Sequence, residues 1–394
     1  MKKLIFSKRN DKEINNLFHP TGKIKAETVD FIKASGCFTK DNARFLPIFL
    51  KECFVLLKKG GMLEFSYSPE LSGLKHREVE KILWWLFKKS YDIKSHNKKT
   101  KSFILRIEKI ESTLKKQTGI DCWTFGMVTN GSRPEFAKQA IESIRKLKIP
   151  HYEIIICGYY PQHEGKNIKY IEFTQRDDLG WITRKKNIIA ENAKYDNLCI
   201  FHDRMVFSKN WYGGMKKYGN NFEILSCPQK LTNNSRVGDW VSTNGSSKNP
   251  GFMYKIEELD YRDWDRWVYI GGQLMIMKKY IWDQQPWNET FYWGEGEDIE
   301  YSQRLTKSGY LSRFNPFSYC LSLSWNHGRL PQRWFPDEKN NTNRFSFYLT
   351  NVPARRVTRY SLYLITRIRI FQKIIESIFP VIKKTFVYKF ITSH

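Results

Sequence analysis

The segment WTFGMVTN, residues Trp123 to Asn130, decides the fold of this chain. It is an apolar run that ends in small polar residues, as a buried strand does where it leaves a sheet. RPEFAKQAIESIRKLKI follows, with apolar residues at helical spacing and Pro134 near its start, where proline favours the beginning of a helix. YEIIICG, from Tyr152 to Gly158, is a second apolar strand. Strand, helix and strand in this order predict parallel strands with a helix crossing one face of the sheet.

The alternation continues from Cys122 to about Arg329. IKYIEF is a predicted strand, GWITRKKNIIAENAK a helix, and NLCIFHDR and FEILSCP are two more strands. This order predicts an α/β fold with a mostly parallel sheet covered by helices, in which ligands bind beyond the carboxyl ends of the strands. The residues at those ends are Thr129 and Asn130, Gly158, and His202, Asp203 and Arg204.

Length and charge limit the classes of function. A chain of 394 residues favours two domains. Lys and Arg number 66 against 40 Asp and Glu, a net charge of +26. This excess favours anionic partners, namely phosphate-bearing substrates, nucleic acid or an acidic membrane surface, and does not choose among them.

The cysteines and the chain start bear on the compartment. Seven cysteines are spread along the sequence without a CxxC pair, which favours buried, reduced thiols in a cytosolic protein. The apolar start MKKLIF is stopped at once by SKRNDKE, and no window is long enough for a transmembrane helix. We therefore expect a cytoplasmic protein, soluble or peripheral on the inner face of the cell membrane.

Two further regions flank the central one. Residues 1–112 alternate helix and strand signals, with a helix predicted to stop at Gly60 and Gly61, and predict a small N-terminal α/β domain. Residues 355–394 interleave Ile, Leu and Phe with Arg and Lys and predict an amphipathic helical tail. Such a tail suits an anionic membrane surface and equally suits packing against its own protein. The irregular stretch from Gln229 to Asp265 is either functional or disordered.

Three strand-end or helix-start features could carry chemistry, each with a plainer alternative. Asp203 could hold Mg²⁺ or Mn²⁺, or could cap the next helix. Arg184, Lys185 and Lys186 could reach a diphosphate, but from spacing alone a solvated basic face is the preferred interpretation. His327 could bind a metal or a phosphate, although a lone histidine is more often structural.

The segment FYWGEGEDIEYSQRL, Phe291 to Leu305, gathers four carboxylates at a predicted helix start. The helix dipole stabilises anions at that position, and an ionised carboxylate there can act as a general base. Ordinary N-capping explains one acid well and four poorly. Gly271 and Gly272, before the strand Gln273 to Met277, allow the backbone to approach a ligand closely.

Together these residues resemble a family-2-type glycosyltransferase, an enzyme that uses nucleotide-diphosphate sugars. Such enzymes have the GT-A fold, which contains a Rossmann-like mixed sheet. FHDRMVFSKNW is similar to that family's metal motif, YIGGQLMIMKK to its glycine-led strand, and YWGEGEDIEYSQRLTKSGY to the WGxGxED segment of galactosyltransferase-type enzymes. The resemblance covers about half the chain and sets the catalytic domain at residues 120–335. It implies an inverting, metal-dependent sugar transfer to a glycan or lipid-linked acceptor in surface polysaccharide or lipopolysaccharide synthesis.

The resemblance also implies roles for individual residues. Asp298 is the expected catalytic base, and a divalent metal, Mn²⁺ or Mg²⁺, is the expected cofactor. Arg204 departs from the family pattern, because it stands where the last acid of the metal motif is usual, so that it could take over part of the charge neutralisation. The expected acceptor-binding residues are Glu297, Trp293 and Gly272, the donor-binding residues are Thr129, Asn130, Arg184, Lys185, His202 and Arg204, and the metal ligands are Asp203 and His327.

Residues 1–112 look like the later half of a class I methyltransferase, since FLKECFVLLKKGGMLEF resembles the LKPGG-and-strand segment of that family. No glycine-rich loop of the type that holds S-adenosylmethionine precedes it, so we expect a degenerate, non-catalytic module. Two rival functions are an active methyltransferase, which the missing loop argues against, and a nucleic-acid-binding protein. No RNP-type, zinc-finger or helix-turn-helix signature supports the latter, and we expect no nucleic-acid partner.

Overall fold

The first sheet lies in residues 1–112. The computed structural model describes residues 1–7, 24–99, 102–112, 119–161, 165–245 and 256–324. The strands have the spatial order first, second, third, fifth, fourth; the first three are parallel and the last two form an antiparallel hairpin. The elements are β1 (Lys3–Ser7), β2 (Val29–Ser35), α1 (Leu46–Leu56), β3 (Leu57–Tyr67), α2 (Pro69–Ser72), α3 (His76–Phe87), β4 (Tyr91–Lys99) and β5 (Ser102–Lys109).

One boundary in this sheet differs from the prediction. The helix predicted to run to Gly60 and Gly61 ends at Leu56, and β3 begins with the next residue. The pairing of β2 with β3 shifts register between Val29 and Phe31, where the segment around Gly60 is the extra length in β3. Gly60 has a φ of 76°, so the glycine serves an irregularity in the strand rather than a helix end.

The second region begins with the predicted strand–helix–strand unit and continues to residue 324. Its elements alternate along the chain as the apolar runs predict. They are β6 (Cys122–Val128), α4 (Pro134–Lys146), β7 (His151–Gly158), β8 (Ile168–Glu172), α5 (Ile182–Glu191), β9 (Asn197–His202), β10 (Met205–Phe207), α6 (Trp211–Tyr218), β11 (Ile224–Ser226), β12 (Gln229–Leu231), β13 (Val241–Ser242), β14 (Glu257–Glu258), β15 (Val268–Tyr269), β16 (Leu274–Lys278), α7 (Lys279–Gln284), α8 (Glu297–Lys307), β17 (Ser312–Phe314) and β18 (Cys320–Ser322).

Seven of these strands form one mixed sheet in the order β17-β11-β16-β9-β6-β7-β8. All neighbours pair in parallel except β16, which is antiparallel to both β9 and β11. The predicted mixed α/β architecture and mostly parallel sheet are therefore confirmed. Two smaller sheets have the orders β10-β18-β12 and β14-β13-β15. The short strands β12, β13 and β14 belong to the irregular segment from Gln229 to Asp265.

Both faces of the large sheet are buried, which explains the continuous apolar runs. In β7, Ile154 and Ile156 pack on one face with α4 and α6, while Ile155 and Cys157 pack on the other face with α5 and α8. Gly126 in β6 lets α5 lie close to the sheet, because a Cβ there would be 2.3 Å from Ile189 Cγ2. The seven cysteines are free thiols, and six of them are buried.

The two regions share a buried contact. Trp240, Tyr261 and Phe314 belong to the same hydrophobic cluster as the core around β1–β5. Glu52 on α1 pairs with Arg313 on β17 at 2.6 Å, and both side chains are buried. The division into domains at residues 112 and 120 stays a prediction, and the predicted tail at 355–394 lies outside the described residues. Within the described ranges, no helix is both long enough and apolar enough to cross a membrane.

Candidate active site

Asp203 follows β9 directly and lies against the end of β6. Its side chain is buried, and Thr129 Oγ1 donates a hydrogen bond of 2.8 Å to Asp203 Oδ2. The backbone of Asp203 also donates to the carbonyl of Val128, the last residue of β6. Two strand ends that are 74 residues apart in sequence thus meet at one edge of the sheet, as the parallel order predicts.

Nearby cationic side chains affect the pKa of the Asp203 carboxylate. Burial raises the pKa of Asp203, whereas the Thr129 hydrogen bond and the charges of Arg133, Arg204 and Lys185 lower it. Arg204 donates from Nη2 to Gln273 Oε1 at 3.1 Å, and burial lowers its pKa to about 10. The surroundings of Asp203 are therefore rich in positive charge, which suits an anionic ligand.

The adjacent cations Arg184 and Lys185 at the start of α5 have different partners. Lys185 is buried, contacts Asp177 at 2.5 Å and donates to the Thr129 carbonyl at 2.8 Å. Arg184 is partly exposed and pairs with Glu191 at 2.8 Å and Glu289 at 3.0 Å. The structure thus brings Lys185 beside Thr129, while Arg184 is held by two carboxylates of its own.

Asp298 lies in the first turn of α8 and is held by backbone amides. Gly272 N donates to Asp298 Oδ2 at 2.9 Å, and Ile299 N donates to Oδ1 at 2.8 Å. A side chain at position 272 would collide with this arrangement, since a Cβ there would lie 2.6 Å from Glu297 Oε1 and 3.0 Å from Lys186 Nζ. The glycine before β16 therefore leaves room for the ends of the Glu297 and Lys186 side chains beside Asp298.

The crowding of four acids is relieved because each has its own partner. Glu295 accepts from the Tyr292 amide at 2.9 Å, and Glu300 pairs with Arg304 at 2.7 Å in the next turn of α8. Glu297 is buried and contacts Lys186 Nζ at 3.4 Å. N-capping alone does not describe this arrangement, because the cap residue Gly296 has no side chain to donate or accept.

Glu297 and Asp298 are neighbouring acids whose pKa values are both raised. Burial, and after it the neighbouring Asp298 carboxylate, raise the pKa of Glu297, while Lys186 opposes the rise. Burial also raises the pKa of Asp298, against the hydrogen bond from Gly272 and the charge of Lys186. A carboxylate whose pKa lies above its ordinary value is a stronger base once it is ionised.

The two acidic positions belong to the same edge of the sheet. His202 N, next to Asp203, donates to the Gln273 carbonyl at 3.0 Å, and Gln273 follows the glycine that holds Asp298. His202 Nε2 is buried and accepts or donates no hydrogen bond among the described residues. Burial first, and then the charges of Arg204 and Lys186, lower the pKa of His202 well below its ordinary value, so the imidazole is neutral near pH 7.

Two further candidate residues, Asn130 and Trp293, lie further from the two acidic positions. Asn130 Oδ1 accepts from the Ser132 amide and hydroxyl, in a turn beyond β6. Trp293 is 51% exposed, and its amide donates to Gly180 at 2.9 Å. A small cavity between the two regions, lined by residues such as Ile48 and Trp240, contains none of the candidate residues.

The contact made by Lys186 and the presence of Arg133 at this edge were not predicted from the sequence. Lys186 belongs to a basic run, but nothing in its spacing identifies it as the one that contacts Glu297. Arg133 precedes α4, donates to Ser324 Oγ at 2.6 Å and acts on the Asp203 carboxylate. Only its position just after the first strand end could have suggested it.

A metal site at Asp203 stays a prediction. No group of three His, Cys, Asp or Glu side chains suited to a metal occurs among the residues that the structure describes, and His327 lies outside them. The described residues near Asp203 supply one carboxylate and several cations, which by themselves do not fit a divalent ion, because such ions prefer several oxygen ligands.

No protein-family model and no curated protein matches this chain in sequence. Among solved structures, it is similar to a crystal structure of S. aureus TarS 1–349, with 10% identity, a TM-score of 0.35, and coverage of 50% of this chain and 60% of that one. The same TarS fragment in complex with UDP-GlcNAc gives 14% identity, a TM-score of 0.35 and coverage of 52% and 60%. The inositol-1-phosphate CTP transferase from T. maritima gives 13% identity, a TM-score of 0.35 and coverage of 53% and 91%. This chain thus spans less than two thirds of the TarS fragment, and TM-scores this low assign no activity.

Proposed function

We propose that this protein is a glycosyltransferase of the GT-A type, which moves a sugar from a nucleotide-diphosphate donor to a glycan or lipid-linked acceptor with inversion. The observation that supports the proposal best is the hydrogen bond from Gly272 to Asp298. The next residue, Gln273, accepts a hydrogen bond from His202, which precedes Asp203. A basic carboxylate and a cation-rich strand end therefore share one edge of the sheet. Sugar transfer needs both, since one group must take a proton and another must stabilise a leaving diphosphate.

The proposed reaction is a single displacement. The acceptor hydroxyl oxygen attacks the anomeric carbon and forms the new glycosidic bond, while Asp298 takes the hydroxyl proton. The bond between the anomeric carbon and the diphosphate oxygen breaks, and the nucleoside diphosphate leaves with the bonding electrons. Arg204 and Arg133 would stabilise the negative charge that develops on it. Attack from the face opposite to the leaving group inverts the anomeric carbon.

The binding roles follow from position. Thr129, Asn130 and His202 lie at the ends of β6 and β9, and Lys185 of α5 contacts the Thr129 carbonyl, so these four residues are proposed to line the donor site. Glu297 and Gly272 adjoin Asp298 and would contact the acceptor, and the exposed ring of Trp293 could stack on the apolar face of a sugar. Mn²⁺ or Mg²⁺ held by Asp203 and His327, surface polysaccharide or lipopolysaccharide synthesis, and an anionic membrane surface on the cytoplasmic side stay predictions from the resemblance and the tail.

A donor screen with the full chain tests the proposal. Thermal unfolding is measured with a panel of nucleotide-diphosphate sugars, with and without Mn²⁺, and release of the nucleoside diphosphate is followed for each donor. We expect at least one donor to raise the melting temperature and to be consumed, because a ligand that binds only the folded state stabilises it. Stabilisation by S-adenosylmethionine or by oligonucleotides, with no response to any nucleotide sugar, would contradict the proposal.

A further inference from the structure

Lys186 is the least explained charge in the candidate site. It lies in the first turns of α5 and is 1% exposed. A fully buried ammonium loses its hydration and normally recovers it with several close acceptors. Among the residues that the structure describes, its one polar partner is Glu297 Oε1 at 3.4 Å, and its Nζ lies 5.9 Å from the centre of the Trp287 ring.

The neighbours of Lys186 show that this placement is specific. Lys185, one residue earlier, turns to Asp177 and the Thr129 carbonyl. Asn187, one residue later, donates to Glu289 Oε1 and to the Trp287 carbonyl. These two therefore tie α5 to the rest of the fold through ordinary contacts of 2.5–2.9 Å. Lys186 alone is directed at the acidic helix start.

In the described part of the chain, few charged groups surround the acid pair. The charge of Lys186 lowers the pKa of both Glu297 and Asp298. It also lowers the pKa of His202, whose imidazole at the end of β9 is neutral. Glu300, further along α8, is occupied by Arg304. One ammonium thus faces two carboxylates, of which Glu297 contacts the ammonium and Asp298 is held by the Gly272 and Ile299 amides.

We propose that Lys186 is a positioning residue whose ammonium holds the Glu297 side chain beneath Gly272 and offsets its negative charge, so that the neighbouring Asp298 stays ionised and available to the acceptor. The inference deepens the proposed function and rests on it only for the last step, the use of Asp298 as a base. The electrostatic part, the dependence of Glu297 on Lys186, holds for the folded protein whatever its substrate.

Folding stability tests the electrostatic part without any activity. Since the pKa of Glu297 is raised in the folded state, its contribution to stability is fully present below the pKa of an ordinary glutamate and is lost as pH rises through the folded value. The positive charge of Lys186 limits this loss of stability because it lowers the pKa of Glu297, and Lys186→Met removes that charge. The pKa of Glu297 in the folded wild type is about 7, so the melting temperature of Lys186→Met should fall further below that of the wild type as pH rises above this value.

Three further variants make this comparison specific. In a Glu297→Gln background, the loss of melting temperature caused by Lys186→Met should depend much less on pH, because the carboxylate that contacts Lys186 is gone and only Asp298 still titrates near it. Lys186→Arg keeps the charge and should follow the wild type. Lys51→Met is a matched control, since it removes another largely buried lysine–glutamate contact, Lys51 with Glu223 at 2.9 Å, away from the acid pair. A pH-independent difference for Lys186→Met would overturn the inference.

Activity then tests the link to the base. In the pH profile of nucleotide release, the acidic limb of Lys186→Met should move up by about one pH unit, because loss of a nearby cation makes the pair harder to ionise. Lys186→Arg should restore the limb. A uniformly slower variant with an unmoved limb would show a merely structural lysine and overturn the inference while the proposed function stands. A wild type that consumes no donor would defeat the proposed function, and the stability series would still decide the role of Lys186.

Discussion

The backbone amide of Gly272 donates a hydrogen bond of 2.9 Å to Asp298 Oδ2, although 26 residues separate the two in sequence. The bond joins the start of an antiparallel strand to the first turn of a helix. It fixes the carboxylate at the sheet edge where Asp203 and Thr129 also lie. Together with the partners of Glu295, Glu297 and Glu300, this bond allows a strongly basic chain to keep four acids at one helix start.

Gly272→Ala tests the packing of the acid pair. The new Cβ would lie 2.6 Å from Glu297 Oε1 and 3.0 Å from Lys186 Nζ, so the carboxylate has to move. A displacement of about 1 Å can cost on the order of a hundredfold in rate. We expect kcat to fall by about tenfold or more. Steady-state kinetics and the melting temperature are measured together. Gly271→Ala is the control, because its Cβ would be 3.4 Å from the Gly238 carbonyl. Equal kcat values for the two variants would contradict the assignment.

The rate should depend on pH in a defined direction. Asp298 must be ionised to accept a proton, and burial raises its pKa above that of an ordinary aspartate. We therefore expect kcat/KM to fall as pH decreases through a value above the ordinary aspartate range. Glu297→Gln removes a neighbouring negative charge and should move this limb to lower pH. A profile that stays flat through the acid range would show that no such base is used.

Arg204→Gln should weaken donor binding. The guanidinium is oriented by Gln273 at 3.1 Å beside Asp203, where a diphosphate would need positive charge. Loss of one charge-assisted hydrogen bond costs about 1.5 kcal/mol or more, which corresponds to roughly a tenfold higher Kd. Titration calorimetry with the donor found in the screen measures it. Arg184→Gln should change Kd less, because Arg184 already pairs with Glu191 and Glu289. The opposite ranking would place the diphosphate near the outer part of α5.

Arg313→Met should destabilise the whole described fold. Arg313 and Glu52 are both buried, and their ion pair of 2.6 Å joins the two regions. Removing one partner of a buried pair leaves an uncompensated charge and costs about 3 to 5 kcal/mol of unfolding free energy. Urea unfolding of Arg313→Met and of Arg313→Met with Glu52→Gln checks this, and the second change should recover part of the loss. A variant as stable as the wild type would mean that the contact contributes nothing.

Sequence patterns predicted the features that depend on short-range periodicity. The runs Tyr152 to Gly158 and Asn197 to Arg204 predicted strands. Their continuous apolar parts arise because both faces of the sheet are covered. The start of α8 at Glu297 also followed from local composition. The end of α1 at Leu56 did not, since glycines can serve a strand irregularity as well as a helix end.

The contacts within the site depend on long-range packing and could not be predicted. Lys185 and Lys186 are adjacent and chemically alike, yet one turns to Asp177 and the other to Glu297, 111 residues away. Helical spacing places both on the first turns of α5 and does not say which element packs against each. The predicted strand-end cluster at Thr129 and Asp203 was within reach because the topology of parallel strands fixes where their ends meet.

Turnover and donor binding of Asp298→Asn, measured beside the wild type, test the central claim most directly. We predict that Asp298→Asn binds the nucleotide sugar with nearly unchanged Kd and releases nucleotide about two to four orders of magnitude more slowly, because the amide cannot accept the acceptor proton. Glu300→Gln, in the same helix turn but paired with Arg304, should keep most of the wild-type rate. Normal turnover by Asp298→Asn would contradict the proposed role of this carboxylate.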